Sequence, residues 1–184
     1  MAVGEVRPGY ELWRPNREKA ESITTKFVIV VLLLATAAVC FLVTIGGFSV
    51  LQGGVGMGII ALLYSGLYVM FAVFVARWNR GVLPMAAAFS VLLLIFAAVG
   101  AGSWFDRDKS GFSSTLLPPS LIGLLLLVLI PLSILVVAIS LVGFNQEWHV
   151  EEERPIGHGE DYGAGSEPPP GEGPPAEEPP PQPA

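Results

Sequence analysis

The sequence predicts an all-α integral membrane protein, a four-helix up-down-up-down transmembrane bundle followed by a disordered acidic, proline-rich C-terminal tail. Hydrophobic residues make up 52% of the 184 residues and charged residues 14%, whereas a soluble domain is roughly 25% charged. The charges gather at the two ends of the chain, and six lie between Phe27 and Asn145. Those six form two short clusters, Arg77 with Arg80 and then Asp106, Arg107, Asp108 and Lys109.

The uncharged runs between these clusters are each long enough to cross a bilayer. A hydrocarbon core of about 30 Å needs roughly 20 helical residues at about 1.5 Å per residue. Because lipid offers backbone groups no hydrogen-bonding partner, each run is predicted to be helical. The predicted spans are residues 27–47, 57–76, 83–103 and 120–144. The first run exceeds the roughly 7–15 residues of a signal-peptide core, which favours a retained span.

The connections between the spans predict their order in the bundle. "QGGVG" at residues 52–56 and "RWNRGVLP" at residues 77–84 are short and have turn composition. Short connections make sequential helices antiparallel neighbours. An up-down-up-down arrangement is therefore expected.

The basic residues that flank the spans predict the orientation of the chain. Lys and Arg favour the cytoplasmic side of a membrane. Eight of them fall on one side: Arg7, Arg14, Arg17, Lys19, Lys26, Arg77, Arg80 and Arg154. Two, Arg107 and Lys109, fall on the other. Both termini are therefore predicted to be cytoplasmic. The abundance of Ala, Gly, Pro and Val is typical of a bacterial protein from a GC-rich genome, which places it in the plasma (inner) membrane.

The two ends of the chain differ in composition. Residues 1–26 are predicted to form a cytoplasmic arm. Residues 147–184 carry ten acidic residues and one basic residue, and this acidic, proline-rich segment is predicted to be a disordered cytoplasmic tail with polyproline II character. The negative charge disfavours nucleic acid as a partner. The expected partners are the lipid bilayer and other membrane subunits or a second copy, and the tail is read as a solubilising extension or as a docking segment for a cytosolic protein.

A short charged stretch, "WFDRDKSGF" at residues 104–112, resembles the start of a calcium loop. The oxygens of Asp106, Asp108 and Ser110 and the turn at Gly111 occupy its positions 1, 3, 5 and 6. Position twelve, a bidentate Glu in such loops, is Leu117. A hydrated turn is therefore the favoured interpretation, and no metal ligand is predicted. A weak extracellular calcium loop is the alternative.

Polar groups inside the spans are few. Tyr64, Ser65 and Tyr68 lie near the middle of the second span, and Tyr64 and Tyr68 share a helix face. We expect their hydroxyls to hydrogen-bond to a neighbouring helix rather than to line a pathway or hold a quinone or lipid headgroup. The single cysteine, Cys40, is predicted to be a small apolar packing residue.

Small residues at four-residue spacing predict close helix contacts. The pairs are Gly54/Gly58, Ala61/Ser65, Ala97/Ala101 and Ala98/Gly102, and a further stripe is formed by Thr36, Cys40 and Thr44. In the fourth span residues 124–130 are bulky and aliphatic, with Pro131 and Ser133 beyond them. This span is predicted to face lipid or a partner subunit more than the other three.

The functional interpretation depends on which residues the spans lack. No Asp, Glu, Lys, Arg or His lies inside any predicted span, whereas ion-coupled carriers and voltage sensors generally need such groups. His149 and His158 follow the last span. No catalytic residue, cofactor site or enzymatic activity is predicted. The leading hypothesis is a non-catalytic accessory subunit or scaffold. One alternative is a small oligomeric transporter or channel with walls of Thr36, Thr44, Tyr64, Ser65 and Tyr68, and another is an envelope sensor with a weak calcium loop.

Overall fold

The computed structural model describes residues 10–48, 54–107 and 115–155. The chain falls into two compact units, Arg14–Glu151 and a smaller unit formed by the segments on either side. The larger unit is helical. Its helices are α1 (Pro15–Glu18), α2 (Ala20–Gly47), α3 (Gly54–Ala76), α4 (Leu83–Asp106) and α5 (Pro119–Asn145), with a 3₁₀ turn at Arg80–Val82 before α4.

Four of these helices, α2 to α5, are long and apolar enough to cross a membrane. The prediction of a mostly helical protein with four such segments is confirmed. The helices extend beyond the predicted spans, and α2 begins at Ala20 rather than at residue 27. The residues that α2 adds before residue 27 include Ala, Glu and Lys, which are good helix formers. Prolines lie in the first turns of α4 and α5, where a missing N–H costs nothing.

Helix α5 packs against both α2 and α4, and α2 also packs against α3. The glycines show how closely these elements approach. A Cβ atom at Gly143, near the end of α5, would lie 2.9 Å from Ile29 Cδ1, near the start of α2. One at Gly47, at the end of α2, would lie 2.6 Å from Trp104 Cη2 and 3.7 Å from Ile122 Cδ1. The end of each of these two helices therefore meets the beginning of the other.

The buried positions of α5 recur in alternating steps of four and three residues. Apart from Gly123, which is also buried, they are Ile122, Leu126, Leu129, Ser133, Val136, Ser140 and Gly143. A repeat that averages 3.5 residues is the pattern of coiled-coil packing, which is common among membrane helices. The remaining faces of α5 are bulky and aliphatic, and Leu124, Leu127 and Val128 are exposed.

The prediction that the fourth span faces outward more than the others is wrong. In the membrane-spanning part of α5, 33% of the residues are buried, against 28% in α3. The physical reason is that Gly123, Ser133, Ser140 and Gly143 narrow the inner face of α5, so that α2 and α4 can both pack against it.

The small-residue pairs behave differently from one another. In α4, Ala97 and Ala101 are buried, whereas Ala98 and Gly102 are exposed. A Cβ atom at Gly102 would meet nothing within 4 Å. At Gly58 the ring of Phe48, rather than a helix backbone, fills the space. Identical spacing therefore marks a packed face in one case and an outer face in another.

The smaller unit contains a two-stranded antiparallel sheet of β1 (Tyr10–Trp13) and β2 (Glu152–Pro155). Tyr10 pairs with Pro155 and Trp13 with Glu152. The Arg154 Nε atom lies 2.6 Å from a carboxylate oxygen of Glu11, and its guanidinium lies 5.2 Å from the Trp13 ring centroid.

The predicted disordered tail begins too early. Residues 147–155 belong to ordered elements, because Trp148 is fully buried and residues 152–155 pair with β1. The proline-rich residues 156–184 lie outside the described residues.

We call residues 146–151 the closing segment, because it packs against the end of the bundle at which α3 and α5 end. The Trp148 ring is 0% exposed and meets the Trp78 ring edge-on, with centroids 5.3 Å apart. The Trp148 indole N–H donates to the Gln146 side-chain oxygen at 3.1 Å, and the Gln146 amide donates to Thr25 Oγ1 at 2.9 Å. A tryptophan just past the end of a span commonly lies among lipid headgroups, but the Trp148 ring is enclosed by protein.

Two arginines before α2 hold the closing segment in place, and a lysine of α2 contacts the Trp78 ring on which it packs. Arg17 Nε donates to the Trp148 carbonyl oxygen at 3.0 Å, and Arg14 Nε donates to a Glu151 carboxylate oxygen at 2.8 Å. Lys26 Nζ lies 3.9 Å from the Trp78 ring centroid, a cation–π distance. Burial, with Arg14 nearby, lowers the pKa of the Arg17 guanidinium, although an arginine stays charged in proteins.

Two residues at this end of the bundle have left-handed backbone conformations. Trp78 has φ 63° and Glu147 has φ 48°. After α3 the Trp78 N–H bonds to the Val75 carbonyl at 2.9 Å and the Asn79 N–H to the Phe74 carbonyl at 3.0 Å. This is a Schellman ending, in which the left-handed position is usually Gly. A bulky residue there costs of order 1–3 kcal/mol, and the contacts of the Trp78 ring with Trp148 and Lys26 offset that cost.

Replacing Trp148 by alanine should destabilise the helical unit by about 3–5 kcal/mol, the usual cost of removing a buried large aromatic side chain. The measurement is the free energy of unfolding in mixed micelles. Phe27→Ala is the matched control, because the Phe27 side chain is 67% exposed and its removal should change stability by about 0.5 kcal/mol or less. Equal losses for the two variants would contradict the role given to the closing segment.

Replacing Glu147 by glycine should raise the free energy of unfolding by about 1 kcal/mol, because glycine adopts a left-handed conformation without the Cβ clash. The Glu147 side chain is exposed, and the bond from Asn16 reaches its backbone oxygen, which the substitution keeps. Glu147→Ala retains a Cβ atom and should give no gain. A gain of the same size in both variants would show that charge, and not the backbone, is responsible.

Candidate functional site

The hydroxyl groups in the middle of α3 all bond to neighbouring helices. Ser65 Oγ donates to the Ala37 carbonyl of α2 at 2.8 Å, and Tyr64 Oη donates to the Phe89 carbonyl of α4 at 2.5 Å. The hydroxyls of Tyr68 and Ser90 lie 3.1 Å apart. The prediction that these three side chains bond across helices is confirmed.

An aromatic cluster surrounds these bonds and joins α3 to α4. Tyr64, Tyr68, Phe71 and Phe89 have ring centroids 5.7 to 6.2 Å apart in four contacting pairs. The rings are tilted or edge-on, the arrangements that aromatic pairs prefer. Tyr68 and Phe71 are buried. This aromatic cluster therefore fills the space between α3 and α4 in the half of the bundle nearer the closing segment.

The sequence did not single out Phe89 and Ser90. Ser90 carried a usable signal, because a hydroxyl in the middle of an apolar span usually bonds to a group inside the protein. Phe89 takes part through its backbone carbonyl, a group that every residue has, and its type therefore gave no signal for the hydrogen bond.

The small, weakly polar stripe of α2 is turned inward. Thr36 and Thr44 are buried and donate to the carbonyls four residues before them, Leu32 at 2.8 Å and Cys40 at 2.7 Å. Such bonds leave a threonine hydroxyl with no need of a partner on another helix. Cys40 is 6% exposed and belongs to the hydrophobic core, as predicted. On α5, Ser133 and Ser140 have buried oxygens without a hydrogen-bond partner among the described residues.

Beside the aromatic cluster, toward the beginning of α3, the four helices enclose an apolar crevice of about 320 Å³. All four contribute to its wall, which includes Cys40, Ala61, Tyr64, Leu93, Phe96 and Leu126. Side chains of α3 and α4 at its edge are widely exposed, Ile60 by 57% and Phe96 by 65%. The crevice therefore opens outward between α3 and α4, whose backbones come close at few positions.

None of the described side chains that line the crevice has a free hydroxyl group. Its two hydroxyls belong to Tyr64 and Thr44, which donate to the carbonyls of Phe89 and Cys40. An apolar cavity of this kind stays dry, because water needs polar partners inside it. A hydrocarbon fits this chemistry, whereas an ion or a sugar does not.

The predicted calcium-like turn falls mostly outside the described residues. Asp106 ends α4, while Asp108, Ser110 and Gly111 lie in the undescribed stretch 108–114. Over the described ranges, no group of three or more His, Cys, Asp or Glu side chains could hold a metal ion. His149 Nδ1 lies 2.7 Å from Arg80 Nη1.

Removing the hydroxyl of Tyr68 should cost little stability, about 0.6 kcal/mol and at most about 1.7 kcal/mol, the measured range for hydrogen bonds between membrane helices. A double-mutant cycle of Tyr68→Phe and Ser90→Ala should give a coupling energy of similar size. Ser103→Ala is a suitable control, because this exposed serine bonds within its own helix. Additive effects at positions 68 and 90 would show that the bond does not contribute.

No protein-family model, curated protein or solved structure matches this chain. Its apolar helices make it a multi-pass membrane protein.

Proposed function

We propose that the chain is a non-catalytic accessory subunit or scaffold of a plasma-membrane complex, with its four long helices in up-down-up-down order and both termini in the cytoplasm. The meeting of the ends of α2 with the opposite ends of α5 supports the antiparallel order. The orientation is supported by the eight basic residues that flank one side of the spans against two on the other.

One observation carries the non-transporting part of this proposal. The side chains expected to line a pathway, Tyr64, Ser65, Tyr68, Thr36 and Thr44, direct their hydroxyls to helix carbonyls or to another hydroxyl. Ions and polar solutes need unpaired polar groups or water along their route. The unpaired hydroxyls inside the described spans, those of Ser133 and Ser140, are buried in packed contacts of α5 and open to no water-filled route, and the crevice is apolar.

The closing segment supports a scaffold in particular. Through Trp148 and Arg17 it joins the region before α2 to the ends of α3 and α5. A tetraspan held in this way presents fixed outer faces, and large apolar side chains are exposed on all four long helices. Lipid or the helices of another subunit can cover such faces.

The acidic, proline-rich residues 156–184 support a cytosolic contact. They carry six acidic residues and no basic one, a composition suited to binding a basic surface on a partner protein.

The test is co-purification from native membranes in a mild detergent, after cross-linking in the intact membrane. Three chains are compared: the full chain, a chain ending at Pro155, and a chain in which residues 156–184 are scrambled with their composition kept. We expect a membrane subunit in fixed stoichiometry with all three, and a cytosolic partner with the full chain alone. Retention of that partner by the scrambled chain would show that charge and proline content suffice.

A flux measurement separates the proposal from its rival, a small oligomeric transporter or channel. Purified protein reconstituted in liposomes should pass ions and small solutes no faster than empty liposomes do. Flux above that level, lost on Tyr64→Phe with Tyr68→Phe, would replace the scaffold by the transporter. Isolation of the chain only with copies of itself would also contradict an accessory role.

A further inference from the structure

The apolar crevice between α3 and α4 has the size of a hydrocarbon chain. A cavity of about 150 Å³ lined by aliphatic and aromatic side chains takes up one benzene, so a chain segment of roughly a dozen carbons matches a space about twice as large. The crevice measures about 320 Å³. Two or three side chains from each of the four helices form its wall, among them Cys40 from α2 and Leu126 from α5.

The crevice lies in the inner half of one leaflet of a bilayer. Its wall on α3 runs from Ile60 to the Tyr64 ring, which forms the floor, about 9 to 15 Å along the helix axis from Gly54 at the start of α3. Half of a hydrocarbon core of about 30 Å is also about 15 Å. The terminal part of an acyl chain in that leaflet therefore lies at the depth of the crevice.

The crevice is open on one side and closed on the others. Ile60 and Phe96 stand at the opening and are more than half exposed, whereas Cys40 and Leu126 at the back are 6% and 8% exposed. Across the floor, Tyr64 bonds to the Phe89 carbonyl and packs against the Phe89 ring. An occupant therefore enters sideways, from the hydrocarbon region between α3 and α4.

We propose that this crevice is a lipid site, which holds one acyl chain of a phospholipid from the leaflet beside the beginning of α3. The phospholipid completes the packing of the bundle in the half where α3 and α4 separate. Acyl chains are the hydrocarbon that surrounds the helices at this depth, and the floor at the middle of the bilayer suits them better than a long isoprenoid chain. The proposal requires helices that span a membrane, but it does not depend on the chain being an accessory subunit.

The first test fills the crevice. Ala61→Phe places a ring inside it, and Ala98→Phe makes the same exchange at an exposed position of α4. The full chain and both variants are purified in a mild detergent, and bound lipids are counted by native mass spectrometry. We expect about one phospholipid per chain for the unmodified protein and for Ala98→Phe, and a several-fold lower occupancy for Ala61→Phe.

The second test needs no substitution and covers the case in which Ala61→Phe does not fold. The unmodified protein is reconstituted with a phospholipid that carries a photoactivatable diazirine near the end of one acyl chain. After irradiation, adducts are mapped by peptide mass spectrometry. We expect adducts at Cys40 and Leu126, which an acyl chain reaches only from inside the crevice. An excess of unlabelled phospholipid should reduce them several-fold.

Three results would overturn the proposal. The first is equal phospholipid occupancy for Ala61→Phe and Ala98→Phe. The second is adducts confined to exposed residues such as Leu63 and Val99, which are 69% and 76% exposed. The third is retention of an isoprenoid lipid in place of a phospholipid. None of these results bears on the accessory role, which the co-purification tests separately.

Discussion

The bilayer offers no water to the polar groups of the chain, and this constraint governs the structure. It requires a helical backbone throughout the spans and sends side-chain hydroxyls inward. The buried polar side chains of the four long helices are Ser22, Thr36, Thr44, Ser65, Ser90, Ser133 and Ser140. Most of the hydroxyls that lie deep in the spans form a hydrogen bond, either to a carbonyl of the same helix or to a group on a neighbouring helix. Outward faces are left to bulky aliphatic and aromatic residues, which need no partner.

The same constraint explains what could be predicted from the sequence. Long uncharged runs leave few alternatives to a helix, so the four helices could be predicted from composition. Tyr64, Ser65 and Tyr68 were expected to bond to another helix because a hydroxyl at that depth cannot remain unpaired without cost.

The choice of helix faces could not be predicted in this way. A soluble helix shows its inner face by its apolar stripe, but these helices are apolar all round. Ala97/Ala101 and Ala98/Gly102 have the same spacing and nearly the same chemistry, yet only the first pair is buried. The crevice is likewise a property of four helices together, and no single segment encodes it. In the segment after α5, the acidic composition predicted disorder. The burial of one residue, Trp148, orders the segment around it instead.

The two halves of the bundle are closed in different ways. At one end the tryptophans and arginines around the closing segment fill the space between the helices. On the other side of the aromatic cluster, toward the beginning of α3, α3 and α4 separate and leave the apolar crevice between them. The Tyr64 ring lies at the boundary, since it belongs both to the aromatic cluster and to the floor of the crevice. One side chain, Tyr64, therefore contributes both to the packed aromatic cluster and to the open crevice.

The position of Trp148 in the chain has a consequence for biosynthesis. A ribosome makes Trp78 some 70 residues before it makes Trp148, an interval of roughly 4–14 s at ordinary rates of translation. During that interval the first three long helices leave the ribosome while the indole they require is still missing. Membrane insertion and the completion of side-chain packing are therefore separate events. Until Trp148 is made, the Trp78 ring lacks its partner, and a chaperone or protease can recognise this exposed aromatic surface.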